Sequence, residues 1–225
     1  MKNKYYILIL ILLGGIIYSI NHFETSEQSP KTHATSQDSI LSPKLLNSER
    51  IKMKYGSYNI KVLSNTPKLR VSNLYSSHND KKITRTLAIV HYLEEIDSIF
   101  LNEHVKILSG GSIGRVFKQH GWKIKKKSIY LGELQPSIDY SNIYKRMGNI
   151  SISKLAIHIY GFYIEKDNKD YQYAVISEIY HPDYLTLNNI KQIVINPNKY
   201  LEKNAFSIQI LKQVESKMKN GIDSF

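Results

Sequence analysis

Apolar and polar residues alternate through two neighbouring stretches, 58–63 (YNIKVL) and 68–75 (KLRVSNLY), and a period of two predicts half-buried strands. Ser64-Asn65-Thr66-Pro67 between them is turn chemistry, so the pair reads as a hairpin. The polar residues 76–82 predict a loop, and 83–92 (ITRTLAIVHY), rich in Thr, Ile and Val, predict a third strand. After the capping residue Asp97, the positions Phe100, Leu101, Val105 and Leu108 recur at near-helical spacing. Ser109-Gly110-Gly111 interrupts that helix. Ser112 caps a second helix over 113–120, with Val116 and Phe117 inward and Gly121 ending it. Residues 122–130 predict a basic strand.

The strongest strand signals are 154–164 (KLAIHIYGFYI) and 171–180 (YQYAVISEIY), joined by a charged turn over 165–170. Both faces of that hairpin are largely apolar, which places it inside a sheet rather than at an edge. His181-Pro182 stops the second strand. Residues 201–219 predict a closing amphipathic helix with Ala205, Ile208, Leu211, Val214 and Met218 on one side and Gly221 after it. Runs of strands with inserted helices, without strict alternation, predict an α+β domain with a mainly antiparallel sheet and helices packed on it.

The first 44 residues follow other rules. From Tyr5 to Ile20 the chain is uncharged, and with Asn21, His22 and Phe23 the run makes about 28 Å of helix, close to a ~30 Å hydrocarbon core. Tyr18-Ser19-Ile20-Asn21 lacks the paired small residues of a cleavage site, so 1–23 predicts a retained single-pass transmembrane signal anchor rather than a removed signal peptide. Lys2 and Lys4 before the run and Glu24 and Glu27 after it put the N-terminus in the cytoplasm. The expected location is the inner (cytoplasmic) membrane, with the domain, 45–225, periplasmic or extracellular. Residues 24–44, dominated by Ser, Thr, Gln and Pro, predict a flexible linker.

Composition narrows the chemistry. With no Cys, the 225-residue chain forms no disulfide, thiolate metal site, Cys nucleophile or lipoprotein anchor. Its eight His show no H-E-x-x-H spacing, so no metal is expected, and no G-x-S-x-G elbow occurs, which removes the commonest serine hydrolase signal. The net charge of +12 favours anionic partners, a lipid surface or a small anionic ligand among them. Residues 121–127 (GWKIKKK) have the composition of a nucleic-acid grip, but Lys-guarded strand edges read the same way, and no nucleic acid is expected. Ser109 to Arg115 (SGGSIGR) has the composition of a phosphate cradle. Such a cradle follows a strand and here a helix precedes it, which favours a simple helix–helix break. His158, Glu178 and His181 fall on or beside the apolar hairpin, as site candidates or as hydrogen-bonded core residues.

The stretch from Val90 to Pro182 resembles the chorismate lyase family, whose fold is shared with the UTRA-type ligand-binding domains of bacterial transcription regulators. The likeness starts at Val90-His-Tyr-Leu-Glu-Glu-Ile96. It is clearest at Gly111-Ser-Ile-Gly-Arg-Val-Phe-Lys-Gln-His-Gly121 and runs through 155–182 and, faintly, 185–206. The resemblance implies a closed pocket where chorismate is split without a cofactor. An Arg on the first hairpin strand grips a carboxylate, a Glu sits on a later hairpin, and a backbone group at a helix start touches the ligand. The last falls on Ile113 and the Arg on Ala156; the Glu-bearing hairpin would begin where this sequence ends. Ala156 carries no charge, and His158, two residues on, is a weaker, pH-dependent substitute. The hairpin 58–75 is a candidate to fill the space of the missing strands. The expected ligand-binding residues are therefore Ser112, Ile113, Arg115, Ala156, His158 and Glu178, in a membrane-tethered binding or interaction domain that is not catalytic. Two alternatives stand beside it, a lyase-type enzyme with a rearranged site and a structural component of a cell-envelope assembly with a protein partner.

Overall fold

The computed structural model describes residues 40–219; the expected anchor, most of the linker and Gly221 lie outside them. Among the described residues no helix is long and apolar enough to cross a membrane. In chain order the elements are α1 (Asn47–Tyr55), β1 (Asn59–Asn65), β2 (Leu69–His78), β3 (Lys81–Tyr92), α2 (Leu101–Leu108), α3 (Ile113–Gln119), β4 (Lys123–Leu134), α4 (Ser141–Arg146), β5 (Leu155–Lys166), β6 (Lys169–Tyr180), α5 (Leu187–Ile193) and α6 (Ala205–Lys219). The strands form one six-stranded sheet in the order β1-β2-β3-β6-β5-β4, with every neighbouring pair antiparallel. The α+β class with an antiparallel sheet is as the sequence predicts. So is the interior place of the β5–β6 hairpin, and the Lys-rich β4 is indeed an edge.

Both faces of the sheet are covered, and the side-chain alternation along β5 shows how. Ile157 and Ile159 face α4 and α6, in a core with Ile143, Met147, Leu211, Val214 and Met218. Each such fully buried side chain contributes roughly 1.5–3 kcal/mol. Residues 156, 158, 160 and 162 point to the other face, beneath α1, α2, α3 and α5. There the apolar packing divides. One cluster gathers around Phe100, Phe117, Phe162 and Tyr173, the other around Ile51, Ala88, Tyr184 and Ile190. The gap between the two clusters frames the candidate site.

Several local expectations change. Residues 76–82 are not a loop, because β2 and β3 run on to a two-residue turn at Asn79 (φ 46°) and Asp80 (φ 60°). Asn and Asp enter this left-handed region more readily than other side chains, so a tight hairpin turn looks like loop composition. On α2, Leu101, Val105 and Leu108 are exposed; Ile107 and the preceding Phe100 are buried, with Glu103 held inward by His120 and the Trp122 indole N–H. Ala205 and Ile208 are likewise exposed, and α6 buries Ser207, Ile210, Leu211, Val214 and Met218. Helix α1 went unread because Ile51 is its one buried apolar residue. Ile40 and Leu41 are buried too, and Arg50 donates to the Ile40 and Ser42 carbonyls at 2.5 and 2.9 Å. The packed part therefore begins ahead of Leu45.

Candidate functional site

Three segments meet over the divided face: the start of α1 (Leu46, Asn47, Ser48), the start of α3 (Ser112, Ile113, Gly114) and the sheet. Between them lies a half-open cavity with about 60 Å³ of room for water-sized molecules. At ~10–15 Å³ per water on such a measure, that is space for about four to six heavy atoms. Its walls are mainly apolar in surface, with Val90, Phe162 and Ile176 among them, and Asn47, Arg70, Ser72, Ser112, Lys126 and Glu178 bring polar groups to it. This is the usual make-up of a small-molecule site.

The dominant polar group is Arg70 on β2, 1% exposed. Its Nε–H donates to Ser72 Oγ at 2.9 Å and its Nη1 to the Ile107 carbonyl, near the C-terminus of α2, at 2.7 Å. Its Nη2 has no hydrogen-bond partner among the described residues. The Tyr92 hydroxyl lies beside the guanidinium, which offsets part of the upward push of burial on its pKa, though the two do not meet in a well-formed hydrogen bond. No carboxylate pairs with Arg70 among the described residues. A buried charge without a counterion is costly, and donors left over in a cavity favour an anion there.

Across the cavity stands Glu178 on β6, buried, accepting from Asn47 Nδ2 at 2.9 Å and from the Tyr180 hydroxyl at 2.7 Å. Asn47 in turn accepts from the Tyr184 hydroxyl at 2.7 Å and donates to Thr86 Oγ1 at 3.1 Å, so α1 is locked to the sheet through this carboxyl. Burial, with Glu178 beside them, drives the Tyr160 and Tyr180 phenols well above their ordinary range, so both stay protonated. The Lys126 ammonium lies 4.7 Å from the Tyr160 ring centroid. Lys126 is accessible at the cavity mouth yet has protein around it, and that desolvation lowers its pKa.

Of the residues singled out in the sequence, Ser112, Ile113 and Glu178 line the cavity. Tyr58 donates to Ser112 Oγ at 3.3 Å, and Arg115 lies outside the wall with its guanidinium 5.3 Å from the Tyr58 ring centroid. Ala156 is packed in the cluster that includes Leu131 and Tyr180, away from the cavity. His158 faces the neighbouring groove, with Nε2 2.9 Å from Ser128 Oγ. Burial first, and then Lys126 and Arg50, lower its pKa to about 3, so it supplies no cation near neutral pH. His181 is a core residue: Nε2 donates to the Met147 carbonyl at 2.9 Å and Nδ1 accepts from the Asp183 N–H at 3.0 Å. The Gly110 and Gly111 N–H groups are taken by Ile107 and Lys106 carbonyls, so SGGSIGR is a helix break and not a cradle.

The residue missed was Arg70. Its signal was an Arg in strict alternation with Ser72 and Leu74 on a strand whose other positions, Val71 and Asn73, also bury. Among the described residues no group of three or more His, Asp or Glu is placed to hold a metal ion. Compared with protein-family models and with curated proteins, the chain matches none.

Proposed function

We propose that this domain binds a small organic anion, a carboxylate of about four to six heavy atoms, in the cavity between α1, α3 and the sheet. In this reading it is a chorismate-lyase-like binding module without turnover, tethered to the membrane by the uncharged segment 5–20 and facing away from the cytoplasm. The observation that carries the binding claim is Arg70, fully buried, lining the cavity, unpaired with any described carboxylate and with an Nη2 amino group that has no partner among the described residues. The antiparallel six-stranded sheet, and Ile113 at a helix start beside the cavity, support the likeness in fold.

Calorimetric titration of the full chain in zwitterionic nanodiscs with pyruvate tests it, with acetone as the uncharged control. Saturable heat with pyruvate alone, lost in Arg70→Met, is expected. Val90→Phe, which fills the cavity and keeps Arg70, serves as a second variant. Equal heats from pyruvate and acetone, or binding unchanged in both variants, would refute the proposal.

A second reading has its own observation. Arg70 from β2 and Glu178 from β6 bring to one cavity the Arg and Glu that the family resemblance implies for a lyase. The available room is too small for a chorismate-sized molecule unless the cavity widens. Release of 4-hydroxybenzoate from chorismate by the wild type, abolished in Glu178→Gln, would establish this reading over the first.

A further inference from the structure

A larger groove lies beside the cavity, on the far side of Lys126 and Leu46, which wall both. It offers about 570 Å³ to water-sized molecules, inside the ~300–1,000 Å³ range of ligand sites. Its floor is the β4 edge of the sheet, and the chain around α5 and the segment before α1 close its sides.

Charge in the groove is of one sign. Lys44, Lys118 and Lys126 line it and, among the described residues, no Asp or Glu does. Lys118 is committed to Glu49. Lys127 also belongs to the wall, but its ammonium goes to Asp170 at 2.9 Å and to the Tyr163 ring. Lys44 and Lys126 make no ion pair among the described residues, Lys126 having only the Tyr160 ring beside its ammonium, so both lack a counterion that a ligand could supply. The rest of the lining is mostly apolar, with Trp122, Ile124, Val194 and Ile195 in it, and Ile195 is 77% exposed. An apolar trough with uncompensated cations at one wall complements a molecule with an acidic head and a hydrocarbon body.

From this geometry we infer that the β4 groove is a second binding site, one that takes an anionic amphiphile, with the head on Lys126 and Lys44 and the apolar body along Ile124, Val194 and Ile195. The chemistry is shared by free fatty acids and by anionic membrane lipids. This site is independent of the small-anion cavity, apart from Lys126 in the common wall.

Trp122 is the single tryptophan of the chain and lines the groove, so its emission reads occupancy directly. The full chain in zwitterionic nanodiscs would be titrated with decanoate and with decyltrimethylammonium, which has a tail of similar length and the opposite charge. A second arm uses nanodiscs containing phosphatidylglycerol, to separate lipid from free acid. The inference predicts a saturable shift of Trp122 emission with decanoate or with phosphatidylglycerol and none with the cation. It predicts binding about tenfold weaker in Ile195→Glu and in Lys44→Glu, a loss on the scale of one exposed charge contact plus apolar area. Neither variant touches the small-anion cavity, so pyruvate binding should be unchanged in both and the two proposals can fail separately. Equal shifts from decanoate and decyltrimethylammonium, no shift from any amphiphile, or full affinity in both variants would overturn the inference.

Discussion

Arg70 lines the cavity and His158 the groove, both buried bases, and their environments give them opposite roles. His158 is 6% exposed on β5 and is held near pKa 3, so it is neutral when folded at pH 7. In the unfolded chain it takes a proton near pH 6.5. Between those values the unfolded state binds more protons, so the stability it contributes is fully present above about pH 6.5 and is lost as the pH falls. From pH 7 to 4 the loss is about 3 kcal/mol at most. Denaturant unfolding at both pH values should show His158→Gln with a correspondingly smaller drop; an unchanged drop would mean that the imidazole is not desolvated. His91, His104 and His181 are lowered in the same direction, chiefly by burial, so the difference between proteins is the informative quantity. The sequence made His158 visible because one ionisable residue stood in an apolar strand. Arg70 was hidden because a cation in an alternating strand normally marks the solvent face, and here both faces are covered.

At the scale of elements, chain punctuation decides what was legible. The β5–β6 hairpin announced itself through long apolar runs, but the β2–β3 turn did not, since Asn79 and Asp80 sit in a polar stretch. Both carry positive φ and both are exposed, and Gly is the residue best suited to the second position. Asp80→Gly should therefore raise stability by roughly 0.5–1 kcal/mol, and Asp80→Val should lower it by at least as much; chemical denaturation of the two variants checks the sign. Gly111 is a different case. A Cβ there would stand 2.8 Å from the Lys106 carbonyl oxygen and 2.8 Å from Val116 Cγ2, at the joint of α2 and α3. Gly111→Ala should cost about 1–3 kcal/mol and, because α3 begins two residues on, loosen the Ile113 side of the cavity. A Gly111→Ala protein as stable as the wild type would show that the joint is slack. The inward side of α6 was readable from Leu211 on, since Leu211, Val214 and Met218 are buried; its first turns and most of α2 were not, because exposed apolar residues share the spacing of the buried ones.

For the whole molecule, the feature that matters is a sheet covered on both faces whose second cover is split, leaving a buried cation beside a cavity. Layer order and the split come from contacts far apart in sequence, such as Asn47 with Glu178 and Arg70 with Ile107, and no local pattern encodes them. A ligand that neutralises Arg70 binds the folded state alone, so at a hundredfold excess over its dissociation constant it adds about 2.7 kcal/mol to stability. For a domain of this size that is a rise of about 5–10 °C in Tm, which a thermal melt with pyruvate reads and which Arg70→Met should erase. The most direct test is a crystal structure of the protein grown with pyruvate. The account predicts a carboxylate in the cavity with an oxygen within about 3.2 Å of Arg70 Nη2. Well-ordered crystals with only water in the cavity, or with pyruvate bound elsewhere and Nη2 turned to Tyr92, would contradict it.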